Sequence, residues 1–196
     1  MFCLLLSSVL SLPKRIPGFS YGVQNAKVVV DMYCDPLCSD CLDVWPNMKK
    51  LLTKYPKDLQ IWLHLMPLPS HTWAFAVIKG IMALKSISEQ KARDMIDALY
   101  SGDQSQFSTS KLINVPEAQV NEKICMYIAS TFQVDYQTIY NQYSNIDVRK
   151  EAGIQFSFAA MHSIVGTPTY EVNGVKTSMN EDTTYEQWCQ FIDSIL

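Results

Sequence analysis

Hydrophobic positions along the chain recur with two different periods, and the switches between them mark its elements. Residues 26–34, AKVVVDMYC, form a short run rich in β-branched side chains, which predicts a largely buried strand. CSDCLDVWPNMKKLLTKY then takes helical spacing, with Leu42, Trp45, Met48, Leu51 and Leu52 on one side. Pro46 falls inside that helix and is expected to kink it, since proline lacks a backbone donor and crowds the preceding turn. LQIWLHLMPLP predicts a second strand, stopped by Pro67 and Pro69. A β-α-β order implies a parallel pair joined by a crossover helix.

From Ser70 to Ile164 the helical period takes over and no strand-like alternation interrupts it. HTWAFAVIKGIMALKS places Ala74, Val77, Ile78, Ile81 and Leu84 on one face, and SEQKARDMIDALYSG stops at Gly102. PEAQVNEKICMYIASTF opens with a proline suited to a first helical turn, and two further helical patterns follow. The chain then returns to strand. TPTYEVNGVKTS reads as two short runs joined by Asn173-Gly174, a strong hairpin signal. TTYEQWCQFIDSIL reads as a closing helix, with Thr183 and Glu186 as a capping box and Tyr185, Trp188, Ile192 and Ile195 as its apolar stripe.

Composition narrows the function classes. The 196 residues suffice for one sizeable domain with a large insertion, and 48% hydrophobic against 18% charged residues supports a packed core. With a net charge of −3 and no basic run, nucleic acid and anionic membrane surfaces have no electrostatic support as partners. The apolar run Phe2 to Leu12 is too short for a membrane span, which takes about 20 residues. It looks like the apolar core of a secretory leader, with Val9 and Ser11 as small residues near a cleavage point, although Lys14 and Arg15 follow the run instead of preceding it. Residues 1–20 are therefore expected to be a leader, and the mature chain to carry no membrane span. A mitochondrial presequence and a buried N-terminal segment stand as alternatives. Removing the leader takes Cys3 and leaves Cys34, Cys38, Cys41, Cys125 and Cys189, an odd number, so at least one thiol stays free.

The order β-α-β, helical block, β-hairpin, α, with Cys38-Ser39-Asp40-Cys41 opening the first helix, resembles the DsbA-like branch of the thioredoxin fold. Pro46 stands five residues past Cys41, where thioredoxins place a kinking proline, and VGTPTYEVNG resembles the family's cis-proline loop. DPLCSDC followed by MPLPSHTWAF resembles a eukaryotic branch with D-x-x-C-P-D-C or D-x-x-C-P-D-S and a P-L-P-x-H segment. The resemblance runs from about residue 20 to the end. It implies an α/β thioredoxin fold with a mixed four-stranded sheet, whose halves are residues 21–69 and 165–196 and whose helical insertion is 70–164. It also implies that Pro168 is the cis-proline and that Thr167 and Pro168 bind an extended client segment.

Thiol–disulfide exchange needs an attacking thiolate, a resolving thiol and a client cleft. Cys38 at the helix start is expected to meet unpaired N–H groups and the positive end of the helix dipole, lowering its pKa. Cys41, one turn further in, is the natural resolving thiol. Ser39 replaces the proline of most DsbA-like members, and Asp40 stands where strong oxidants carry histidine. Asp40, Ser39 and Asp35 are candidate tuning residues, and Asp35, Asp40 and Asp43 also suit a helix start as caps. The family's buried acid aligns with Met32, whereas Asp31 should face the other side of the strand. C-x3-C-x2-C is also the spacing of radical-SAM iron–sulfur sites, but the chain lacks repeated β/α units. Zinc on Cys34, Cys38, Cys41 and one histidine finds no ligand spacing among His64, His71 and His162. Cys34 is read as a buried strand thiol facing the core with Val28, Val30 and Met32, and Cys125 and Cys189 as inert core thiols.

The expected function is a thiol–disulfide oxidoreductase of the secretory lumen or extracellular space, acting on protein or peptide thiols and disulfides. No cofactor and no metal enter, and Cys38 and Cys41 are its catalytic residues. The alternative is a non-catalytic thioredoxin-fold binding or assembly protein with decayed redox chemistry. Glutathione-dependent chemistry of the kappa-transferase type uses one thiol or serine, and the intact pair argues against it.

Overall fold

Val28, Val30 and Met32 stand two residues apart on one face of their strand, and all three are buried, so that face is apolar and has to be covered. In the computed structural model, which describes residues 16–196, the elements run β1 (Phe19–Gly22), β2 (Val28–Cys34), α1 (Ser39–Lys54), β3 (Leu59–Leu65), α2 (Ala74–Ile87), α3 (Glu89–Leu99), a 3-10 turn (Asp103–Phe107), α4 (Glu117–Phe132), α5 (Tyr136–Tyr143), α6 (Ile146–Met161), β4 (Thr169–Val172), β5 (Val175–Lys176) and α7 (Tyr185–Ile195). The sheet has the order β1-β3-β2-β4-β5. β2 and β3 are parallel, as a crossover through α1 requires, and the remaining pairs are antiparallel.

Five strands stand where four were expected. The extra one, β1, pairs Phe19 with Leu63 and Gly22 with Gln60. Four residues at a sheet edge carry too little alternation to announce a strand. Two glycines at positive φ bracket it: a Cβ at Gly18 would lie 2.5 Å from the Leu63 carbonyl oxygen, and one at Gly22 would collide with that of Leu59. Phe19 and Ser20 thus belong to the sheet, so the end of the leader expected over residues 1–20 overlaps the fold. Cys3, Val9 and Ser11 lie outside the described residues.

α1 packs against α7 and β3, and α6 reaches β3 from the other side. The α1 face holds Met32 and Cys34, while Tyr33 on the opposite face stacks on Phe158 of α6. α1 buries Cys41, Val44, Trp45, Met48 and Leu51, so its apolar stripe is rotated from the one expected, with Cys41 and Val44 inside and Leu42 half-buried. α2 is buried nearly all round and forms the axis of the helical block. Gly80 permits its close approach to α4, since a Cβ there would sit 2.7 Å from the Ile124 side chain. Asn173 and Gly174 take positive φ and close the β4–β5 hairpin. The capping box of α7 is Thr184 with Gln187, one residue beyond the expected pair. Thr183 instead bonds Asn180 in the preceding loop. No helix among the described residues is long and apolar enough to cross a membrane.

Candidate functional site

The site forms where β2 ends and α1 begins. Cys38 is the N-cap of α1 with extended backbone, and Cys41 is its third residue. Cys38 is 5% exposed and Cys41 0%, so Cys38 is the one that touches solvent. The Cys38 Sγ–H donates to the Thr167 carbonyl at 3.5 Å. The Thr167–Pro168 peptide bond is cis. The loop ahead of it is anchored by buried Ile164, and the Thr169 hydroxyl donates to the Gly166 carbonyl at 2.7 Å. Val165, 90% exposed, and exposed Met161 flank this loop. β4 pairing with β2 begins only at Thr169 opposite Tyr33, which leaves Thr167 outside the ladder.

Asp35, Ser39 and Asp40 differ more than their proximity in sequence suggested. Ser39 and Asp40 are exposed, and the Ser39 hydroxyl donates to the Asp40 carboxylate at 3.2 Å. Asp35 is fully buried. Its carboxylate accepts from Leu37 N–H at 2.7 Å and Leu68 N–H at 2.6 Å, joining the β2–α1 loop to the loop after β3. His71 Nδ1 lies 3.0 Å from the same carboxylate. Burial raises the Asp35 pKa, and its backbone hydrogen bonds oppose the rise. The Asp35 carbonyl accepts from Cys38 N–H and from the Tyr100 hydroxyl at the end of α3.

Three thiols lie in one buried cluster here, and Cys41 has Cys38 and Cys34 as its thiol neighbours. Cys34 is buried on the expected face, in the same core cluster as Val28, Val30 and Met32. The Cys38 pKa is raised, first by the hydrogen bond with the Cys41 thiol and then by burial. The Cys41 backbone N–H opposes this without prevailing. The lowering expected from the helix start alone is therefore overturned: the helix terminus acts, but a neighbouring thiol and low solvent access outweigh it. Burial raises Cys41 and Cys34 as well. Cys125, buried in α4, is pushed up to about 11 by burial and touches none of this. Cys189 lies in α7 beside Tyr55, whose hydroxyl donates to its carbonyl.

Reasoning from sequence missed Tyr100, the buried role of Asp35, and a polar group on the far face of the sheet. There His64 meets Asp31 at 2.9 Å, and Glu171 joins His162 to the Tyr33 hydroxyl. Asp31 does face away from the thiols, as the strand period required. No local pattern links these partners, which lie up to 138 residues apart.

Solved structures share this fold. A candidate protein-disulfide isomerase from Pseudomonas syringae matches with a TM-score of 0.76 at 15% identity, over 88% of this chain and 96% of that one. The thiol-disulfide exchange protein alpha-DsbA2 from Wolbachia pipientis gives 0.68 at 13%, over 92% and 87%. Pseudomonas aeruginosa DsbA2 gives 0.64 at 16%, over 94% and 96%. These likenesses establish a DsbA-like thioredoxin fold with the helical block between its two halves. Among curated proteins no sequence matches. The family model described as Thioredoxin matches residues 14–194, the length of the fold from β1 to α7, and the chain belongs to the thioredoxin family.

Proposed function

We propose that the chain exchanges thiols and disulfides with protein or peptide clients, with Cys38 as the attacking thiol and Cys41 as the resolving one. The observation that carries this reading is the placement of Cys38: N-cap of α1, in contact with solvent, 3.5 Å from the Thr167 carbonyl, with Cys41 directly behind it. In the reducing direction Cys38 loses its proton and attacks a client sulfur. The client S–S bond breaks, one client sulfur leaves as thiolate, and a mixed disulfide forms. Cys41 then attacks Cys38 Sγ, the second client thiolate leaves, and Cys38–Cys41 becomes the disulfide. Client oxidation is the reverse sequence. The exchange uses sulfur alone and takes no cofactor.

Thr167 and Pro168 form the wall facing Cys38 and contact the client backbone, with exposed Val165 beside them offering apolar surface. Asp35 acts on the thiols from beneath, through the loop it pins, while Ser39 and Asp40 act weakly from the solvated side. The halves 21–69 and 165–196 carry the exchange, and the insertion 70–164 braces it through Tyr100. The apolar run at residues 2–12 together with an oxidisable pair supports a secretory-lumen or extracellular location.

One observation favours a second reading, a binding module of the same fold: all three thiols are raised, so little thiolate is ready at neutral pH. Insulin reduction and refolding of scrambled ribonuclease by wild type and Cys38→Ser separate the two. The exchange reading expects activity in wild type and background in Cys38→Ser; equal values in every assay would sink it in favour of the binding module.

A further inference from the structure

C-x3-C-x2-C places Cys34 at the end of β2, Cys38 at the N-cap of α1 and Cys41 in its first turn, all three buried in one cluster with Cys41 neighbouring both of the others. We propose that Cys34 is a second disulfide partner for Cys41: in the oxidised protein the Cys38–Cys41 bond rearranges to Cys34–Cys41, releasing Cys38 as a free thiol at the mouth of the site. The inference rests on the reading of Cys38 and Cys41 as the redox pair, and it adds a state in which the chain stays oxidised while its outermost sulfur is again a nucleophile.

The step balances without an outside reagent. Cys34 gives up its proton and its sulfur attacks Cys41 Sγ. The S–S bond between Cys38 and Cys41 breaks, Cys38 leaves with the electron pair and takes up a proton, and the Cys34–Cys41 bond forms. One disulfide and one thiol are present before and after.

The fold supplies what the step needs. Cys34 is the last residue of β2, held by the parallel ladder to β3 and by Met66 N–H donating to its carbonyl at 2.9 Å, so its side chain is fixed beneath α1. Cys41 is presented to it from the first turn of α1. Tyr100, whose hydroxyl donates to the adjoining Asp35 carbonyl at 3.2 Å, holds the chain directly after Cys34 in place. Exposure falls from Cys38 to Cys41 and Cys34, so the rearranged bond is sealed from solvent and from clients. A client disulfide could then meet a Cys38 thiol without prior reduction of the protein, the starting condition for shuffling disulfides instead of adding or removing them.

Cleavage before aspartate separates the three cysteines, because Asp35 and Asp40 lie between them. The full chain with Cys38→Ser, which retains Cys34 and Cys41, is oxidised with diamide, quenched in acid, alkylated, cut at aspartate and mapped by mass spectrometry. The expected result is a cross-linked Cys34–Cys41 peptide pair and loss of both thiols to alkylation. Full alkylation of Cys34 and Cys41, under conditions where wild type forms a disulfide, would overturn the proposal. Oxidised wild type should yield the same cross-link together with an alkylated Cys38. Cys34→Ala should yield Cys38–Cys41 alone with Cys38 fully protected. If Cys34→Ala folds by circular dichroism but forms no disulfide, the redox-pair reading fails, an outcome distinct from failure of the rearrangement.

Discussion

Asp35 holds two loops with one carboxylate. Its oxygens accept from Leu37 N–H and Leu68 N–H, and His71 faces it at 3.0 Å, all in a fully buried setting. Asp35→Asn keeps the size but replaces one acceptor oxygen with an amide NH2 that must point at a backbone donor. An unsatisfied buried polar group costs roughly 1–3 kcal/mol, so the variant should lose about that much stability in urea unfolding followed by circular dichroism. Asp40→Asn, at an exposed position bonded only to Ser39, should stay within about 0.5 kcal/mol of wild type. Equal losses from both variants would show that burial does not separate them. In the sequence all three aspartates near the helix start invite the same reading as caps. Which one is buried depends on Leu68 and His71, residues that arrive only with the loop after β3.

Elements are tied by similar contacts. Trp45, buried on α1, donates its indole N–H to Asp97 of α3 at 2.7 Å, and Lys49 reaches the other oxygen of the same carboxylate at 2.6 Å. The two contacts are worth different amounts. The Lys49 pair is half-exposed on its cationic side, and such pairs contribute roughly 0–1 kcal/mol. The indole N–H, by contrast, would be orphaned without Asp97. Asp97→Ala should therefore cost roughly 1–3 kcal/mol and Lys49→Ala under about 1 kcal/mol, read as denaturant midpoints. The opposite ranking would mean that the ion pair dominates. Elements whose own residues carry a period were legible from sequence: β2, α1, β3, the Asn173-Gly174 hairpin and α7. β1 was not, because four edge residues owe their strand to the open side of β3 rather than to a pattern of their own. The α7 cap fell one residue off because Thr183 and Thr184 each stand three residues before a possible capping partner, and only the Asn180 loop decides between them. The C-x-x-C pair was legible as a motif at a helix start. The burial of Cys34 in one cluster with Cys41 was not, since it depends on how far β2 runs before the chain turns.

For the whole molecule, the raised thiols couple redox state to alkaline stability. In the reduced protein the Cys38 pKa is raised by its hydrogen bond with Cys41 and by burial, and the Cys41 pKa by burial first, above the ordinary 9.0. A group with a raised folded-state pKa contributes stability that is fully present below its unfolded value and is lost as pH climbs through the folded one. Above about pH 9 the unfolded chain releases thiol protons that the native state still holds, so unfolding gains. Joining Cys38 to Cys41 removes both groups from that balance. The buried tyrosines Tyr33 and Tyr143, whose pKa values are also raised by burial and owe nothing to the site thiols, titrate in both redox forms and cancel in the difference. The stability of the reduced protein minus that of the oxidised protein should hold level to about pH 8 and fall between about pH 9 and 10.5, by up to about 1.4 kcal/mol per pH unit for each thiol. Cys41 should carry the larger share, because Cys38 still touches solvent. Urea titrations of both forms across that range measure the difference. A difference that instead rises between about pH 6 and 9 and then levels off would mean that Cys38 is already a thiolate in the native protein at neutral pH. The helix terminus would then have outweighed burial, and Cys38 would be the ready nucleophile that its place at the start of α1 implies.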